Sequence, residues 1–258
     1  MKVVLLAGGR GTRISEESEY MPKPMIEIGG MPILWHIMKE YLYYGFNDFI
    51  ICAGYKQHMI KKWFSDYYFY TSDVAFDFKN SNRPKFLDHS TEPWKVTIVD
   101  TGLDTMTGGR IKRIQKYIGD EPFMMTYADG VCDVNISELV KFHQQTGKMA
   151  TLTSVIQKQT KGALDIGQDR VVRSFREKGL KDSISINAGY MVLESRLFDY
   201  IDGDDSIFEV DVLEKIAAEG QLMSYSHNGF WQCMDTLLEK TILENLWHTG
   251  NAPWKKWD

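Results

Sequence analysis

The first strong signal along the chain is the apolar, β-branched run Lys2–Ala7 (KVVLLA), which stops at Gly8-Gly9. A run with no polar alternation reads as a strand buried on both faces, the habit of a parallel sheet. Helical spacing of apolar residues follows over Pro32–Tyr44, and Asp48–Ala53 (DFIICA) has the pattern of a second strand. Strand, helix, strand in that order predicts the right-handed crossover of an α/β sheet. Further strands are expected at Lys95–Val99, Pro122–Tyr127, Ala150–Ile156, Val171–Phe175 and Ala188–Leu193, with helices at Ile136–Thr146, Val210–Glu219 and Leu237–Thr249. The alternation persists to the end, so the expected fold class is α/β, organised as a single domain over residues 1–258. Residues Tyr67–Pro93 break the rhythm with the aromatic stretch YYFYTSDVAFDF and a polar tail. This segment reads as an insertion, and a loop of that length in a compact domain is more often functional or an interaction element than idle.

Composition narrows the function classes. At 258 residues and 43% hydrophobic content the chain can bury a large core and sits near the upper limit of one domain. A formal charge of -5 argues against non-specific nucleic-acid binding, which needs a basic face to displace counterions. Anionic ligands must then be held by local cations. Met1–Ala7 runs straight into a glycine loop without a basic leader or cleavage site. No apolar stretch reaches the roughly 18–20 residues that span a bilayer. A cytoplasmic location without membrane partners is expected. Cys52, Cys132 and Cys233 are odd in number and far apart, which suits reduced thiols better than disulfides or a zinc site. The six histidines show no metal-ligand spacing, and the tryptophans, Trp231 and Trp247 among them, read as core or interface anchors.

Candidate chemistry begins at LAGGRGTR, Leu6–Arg13, which follows the first strand. Its glycines let backbone N–H groups approach a phosphate or a base without side chains intervening. A third glycine at Ile14 would be needed for the dinucleotide fingerprint, and a P-loop would end in Gly-Lys-Ser/Thr; neither is present. What remains is a glycine loop with Arg13 and, after an acidic stretch, Lys23 between Pro22 and Pro24. Arg13 can grip two phosphate oxygens and Lys23 can act as a compact point charge, which suits a polyphosphate.

LAGGRGTR followed by Pro22-Lys23-Pro24 resembles the signature of the sugar-phosphate nucleotidyltransferases. PILWHIMKEY, EPWKVTIVDTG, MTGGRIKRI, GFWQCMDT and APWKKW, in that order, are similar to the glucose-1-phosphate cytidylyltransferase subfamily, and the likeness covers nearly the whole chain. The resemblance implies a mixed, mostly parallel Rossmann-like sheet with helices on both faces, a nucleotide-binding half at about residues 1–135 and a sugar-phosphate half at about 136–258. It implies transfer of CMP from CTP to a sugar 1-phosphate with loss of pyrophosphate, no covalent intermediate, a Mg2+ cofactor, and a homo-oligomer; the density of aromatics in Tyr67–Pro93 adds the expectation that this insertion takes part in the oligomer.

By the same resemblance Asp129 in YADG and Asp235 in MDT are the metal ligands, with Asp133 as the nearby competitor. Arg13, Lys23 and Lys178 are the phosphate cations. Leu6, Ala7, Gly8, Gly9, Gly11, Thr12, Thr101, Thr107, Gly108 and Gly109, with Asp129, line the nucleotide site. Gly162, Ala163, Glu177, Lys178, Asn187 and Gly189 line the acceptor site. Departures from the subfamily pattern stand at Ala128, Gly179, Cys233 and Phe208–Asp211, mostly on the acceptor side. A different phosphorylated acceptor is therefore the alternative reading. A catalytically silent nucleotide-binding homologue is a third, opposed by the intact Arg13, Lys23, Asp129, Lys178 and Asp235.

Overall fold

A computed structural model describes residues 1–257 apart from 82, 90, 159–162, 167–168 and 177–182. Seven strands form one central sheet: β1 (Val3–Ala7), β2 (Asp48–Ala53), β3 (Lys95–Asp100), β4 (Phe123–Tyr127), β5 (Ala150–Lys158), β6 (Ser183–Leu193) and β7 (Leu222–His227). Their spatial order is β7-β5-β6-β4-β1-β2-β3. Only β6 runs against the others, pairing antiparallel with both β4 and β5, while the remaining pairs are parallel. This is the mixed, mostly parallel α/β sheet expected.

The continuous apolar runs have the reason anticipated for them. In β1, Val3, Leu5 and Ala7 enter one core with helix α1 (Ile33–Tyr43), and Val4 enters a second core on the other face. Successive strand residues point to opposite faces, so a sheet covered twice needs apolar residues at every position.

One buried group makes stability pH-dependent. His36 of α1 is wholly buried, with Nε2 bonded to the Ile28 carbonyl at 2.8 Å and Nδ1 accepting from Trp254 Nε1 at 3.4 Å. Desolvation, only partly offset by the Ile28 and Met31 carbonyls, pulls its pKa from 6.5 down to about 4. The folded state therefore binds the proton less readily than the unfolded one. The contribution is fully present above pH 6.5 and is lost as pH falls towards 4, at most about 3 kcal/mol. Urea unfolding at pH 7 and pH 5 should show a smaller loss of stability in His36→Asn than in the wild type.

Residues 67–93 depart from the expected excursion. Tyr67–Tyr70 close helix α2 (Gln57–Tyr70), while Ser72–Ala75 and Lys85–His89 pair as an antiparallel hairpin. Ile60, Trp63, Phe64 and Tyr67 pack on the core at helical spacing, a face hidden in the sequence by the polar residues between them. Tyr67 accepts from Trp35 Nε1 at 3.0 Å and donates to Glu92. Tyr70, Phe76 and Phe78 remain exposed, the two phenylalanine rings stacked 5.9 Å apart. Among the described residues no helix is long and apolar enough to cross a membrane.

Candidate active site

Strand order locates the site. From β1 the chain crosses to β2 on one side, whereas β4 lies on the other, so β1 and β4 flank the point at which the winding reverses. Ligands of open α/β sheets bind beyond the carboxyl ends of strands at such a point. Leu6 stands opposite Tyr127 in the β1–β4 ladder. The glycine loop leaves β1 there, and Asp129 lies just past the end of β4. Between them is a cavity of about 420 Å³ lined by Leu6, Ala7, Gly8, Gly9, Gly11, Thr12, Arg13, Lys23, Thr107 and Asp129 of the expected residues. Gly11 adopts φ +65°, a left-handed turn that glycine enters at little cost.

Asp235 reaches this place from far along the chain. Trp231–Cys233 pairs antiparallel with Gly130–Cys132, Cys233 opposite Gly130, and Met234 N–H donates to the Asp129 carbonyl at 2.8 Å. Helix α3 (Leu237–His248) starts in a Thr236–Glu239 capping box, and Glu239 Oε2 also accepts the Asp235 N–H at 2.7 Å. That cap fixes the backbone on which Asp235 sits.

The two carboxylates converge on one cation. Lys23 Nζ lies 2.6 Å from Asp129 Oδ2 and 2.5 Å from Asp235 Oδ1, and Arg13 Nη1 lies 2.5 Å from Asp235 Oδ2. Lys23 is nearly buried. Desolvation opposes its charge, but the attraction and hydrogen bonds of Asp129 and Asp235 outweigh it and hold the pKa above the ordinary lysine value. Lys23 is thus a fixed cation in a cavity wall, whereas Arg13 is largely exposed and free to adapt.

Other expected residues stand elsewhere. Asp133 accepts from the Phe230 N–H at 2.6 Å and lies 2.7 Å from His227 Nε2, so its carboxylate is engaged away from Lys23. Thr101 is buried, donating to the Ala53 carbonyl at 2.8 Å, and does not line the cavity. Gly108 and Gly109 are buried against Ser206 and Asp204: an added Cβ would come within 2.7 Å and 2.6 Å of those backbones. Close packing requires these glycines, and they stand behind the cavity wall. Cys233 lies near Asp235 and Glu239, and burial together with those carboxylates pushes its thiol up to about 12, which leaves it a poor nucleophile.

On the acceptor side, Asn187 Oδ1 accepts the Gly189 N–H at 2.8 Å, and Gly189 adopts φ +85°. Ala163 begins a short strand, Ala163–Ile166. Gly162, Glu177, Lys178 and Gly179 lie outside the described residues.

Arg110 and Tyr127 line the cavity although the sequence reading gives them no role, and Glu209 stands behind Tyr127 and Thr107. Arg110 is buried, lines the cavity and donates to Thr101 Oγ1 at 2.9 Å, Gly102 O at 2.6 Å and Leu103 O at 3.2 Å. All three partners are neutral, so among the described residues no carboxylate is bonded to this positive charge beside the cavity. A Cβ on Gly8 would sit 2.2 Å from Arg110 Nη1, which gives Gly8 a packing role against that guanidinium. Glu209 lies within the segment read as a departure from the subfamily pattern. In that segment Asp211 Oδ2 accepts the Ile207 N–H at 2.6 Å, closing the local turn.

A nucleotidyl transferase family model matches residues 2–237. The chain is 51% identical over 259 residues to the glucose-1-phosphate cytidylyltransferase of Salmonella typhi, covering 100% of each. It is 42% identical over 258 residues to the probable glucose-1-phosphate cytidylyltransferase of Bacillus subtilis (strain 168), again covering 100% of each. Among solved structures, the UTP-bound UGPase from Acinetobacter baumannii superposes with a TM-score of 0.70 at 16% identity, covering 97% of this chain and 95% of that one. That likeness is one of fold.

Proposed function

The chain belongs to the nucleotidyl transferase family, and from that premise we propose that it transfers CMP from CTP to glucose 1-phosphate, giving CDP-glucose and pyrophosphate. The observation that carries the reading is the convergence of Arg13, Lys23, Asp129 and Asp235 beside the glycine loop. A binding module has no need of two cations and two carboxylates at one point. The nucleotide-binding half is taken as about residues 1–135 and the acceptor half as about 136–258.

The acceptor phosphate is already anionic at neutral pH, so no general base is required to make the nucleophile. Positioning and charge neutralisation carry the rate. Lys23 and Arg13 face the triphosphate from the cavity wall, neutralising charge on the reacting phosphates and on the departing pyrophosphate. Lys178 is assigned to the acceptor phosphate, Glu177 with Asn187 and Gly189 to the sugar, and Gly162 and Ala163 to the pocket loop. Backbone groups of Leu6–Gly9 address the cytosine edge, with Arg110 adding a buried donor. Thr101, Gly108 and Gly109 act one layer out by holding Arg110 and the start of its helix.

The donor set fits a magnesium ion. Two carboxylates from separate segments reach the same ammonium nitrogen, so their oxygens converge where a cation is held, and hard oxygen donors with room for substrate phosphates suit Mg2+. Asp129 and Asp235 would hold it, and when bound it supplies charge neutralisation at the phosphates.

Pyrophosphate release, measured with Mg2+, glucose 1-phosphate and each nucleoside triphosphate in turn, tests the assignment. CTP should exceed ATP and GTP by more than tenfold in kcat/KM, because a site bonded to one base edge leaves polar groups unpaired with another. Equal use of all triphosphates removes the cytidylyl assignment; turnover of CTP only with a different phosphorylated acceptor moves the reading to that acceptor. The exposed Tyr70, Phe76 and Phe78 on and beside the hairpin support a homo-oligomer through that surface. Light scattering at micromolar concentration should give a mass above one chain, and a monomer overturns this.

A further inference from the structure

Tyr127 and Glu209 join the two sides of the cavity, and the chemistry above uses neither. Tyr127 ends β4, two residues before Asp129, and lines the cavity. Its ring lies so close to β6 that a Cβ on Gly189 would be 2.6 Å from Tyr127 Cδ2. Gly189 is the residue whose N–H is held by Asn187. The tyrosine therefore forms the wall between the nucleotide cavity and the Asn187–Gly189 turn.

Glu209 reaches that wall from a π-helical turn, Phe208–Leu213, a backbone form found mostly as single turns and often at functional sites. One carboxylate oxygen, Oε1, accepts from the Tyr127 hydroxyl, and the other, Oε2, accepts from the Thr107 hydroxyl at 2.7 Å. Thr107 Oγ1 in turn accepts the Phe208 N–H at 2.9 Å. One side chain thus ties the end of β4 to the start of the helix that carries Arg110.

The direction of these bonds has a chemical consequence. An ionised carboxylate only accepts, so both hydroxyls must donate to it. The Tyr127 hydroxyl proton is accordingly directed at Glu209 Oε1. With that proton committed to Glu209, the Tyr127 oxygen has only lone pairs to offer a ligand. Such a wall selects a group that donates, and a sugar is rich in hydroxyl donors.

We infer that Glu209 is a positioning residue that fixes Tyr127 as an acceptor for one hydroxyl of the sugar phosphate, so that the pair sets acceptor specificity. The inference rests on the reading of the chain as a sugar-1-phosphate cytidylyltransferase. It also gives the otherwise divergent Phe208–Asp211 segment a defined role, since Glu209 is its member that faces the cavity wall.

The test is steady-state kinetics of wild type, Tyr127→Phe, Glu209→Ala and the double variant, with CTP and either glucose 1-phosphate or its monodeoxy analogues. In the wild type, removal of one particular hydroxyl should lower kcat/KM at least tenfold. Tyr127→Phe keeps the ring against Gly189 and should use that analogue and the parent sugar alike, with a glucose 1-phosphate KM raised about tenfold and the CTP KM and Tm unchanged. Glu209→Ala should weaken the same discrimination, and the double variant should be no worse in the acceptor terms than Tyr127→Phe alone. If Tyr127→Phe discriminates among the analogues as the wild type does, or if its CTP and sugar KM values rise together, the pair is merely structural and the inference falls. A wild type that releases no pyrophosphate from CTP and glucose 1-phosphate overturns the functional reading itself, and this inference with it.

Discussion

Asp129→Asn and Asp235→Asn should each lower kcat by two orders of magnitude or more while the protein stays folded. Loss of a single preorganised electrostatic contact in an active site commonly costs on the order of 100-fold or more, and each substitution also weakens the proposed metal site. The fold should tolerate either change. Lys23 retains the other carboxylate as its partner in each single variant, and Arg13, exposed and bonded among the described residues to Asp235 alone, can turn to solvent. The comparison needs kcat across a range of Mg2+ concentrations and Tm without metal. Variants that keep kcat within tenfold of wild type, at any Mg2+ concentration, take these carboxylates out of the chemistry. Asp133→Asn serves as a neighbouring control, because its carboxylate faces His227 and Phe230; its effect should appear in Tm and leave Mg2+ dependence unaltered.

Lys23→Met should cost turnover on the same scale, for a different physical reason and with a different stability signature. In the wild type the ammonium separates two carboxylates that otherwise face each other across the cavity wall. Removing the shared partner leaves Asp129 without its cation beside Asp235, which keeps only the exposed Arg13 among the described residues. The cost is up to about 3 kcal/mol, reduced here because Asp129 and Asp235 keep partial access to solvent. Unfolding followed in EDTA should therefore show a lowered Tm for Lys23→Met, and millimolar Mg2+ should restore more of it than in the wild type. Activity should not return with the stability, because the cation proposed to face the phosphates is gone. A variant whose Tm ignores Mg2+ would argue that the two carboxylates do not form a metal site.

Much of this protein was legible along the chain, and the reason differs from element to element. β1, β2 and β4 were readable because a strand buried on both faces carries apolar residues without interruption. Leu6–Arg13 and Pro22–Pro24 stand out in the chain because glycines and cations at short spacing are what close approach of a phosphate would demand, and the structure brings Gly8, Gly9, Gly11, Arg13 and Lys23 to one cavity. Local chemistry of that kind is written in consecutive residues. Helix α2 is not legible in the sequence because its core stripe, Ile60, Trp63, Phe64 and Tyr67, is set among polar residues, and the aromatic run at its end resembles the start of an insertion.

The order of residues along the chain is enough for the α/β sheet and for a glycine loop with two cations close behind it. Which distant groups meet depends on how the chain folds. Asp235 joins Asp129 only through the pairing of Trp231–Cys233 with Gly130–Cys132, an alignment of backbone groups that no side-chain pattern announces. Gly108 and Gly109 resemble a base-reading turn as letters, yet the space they leave is filled by Asp204 and Ser206. Nothing in the chain beside them marks Arg110 and Glu209: burial in the cavity wall brings Arg110 to the site, and hydrogen bonds to Tyr127 and Thr107 bring Glu209. Desolvation and long-range pairing depend on what surrounds a residue in space, and a linear pattern carries only what stands beside it in the chain.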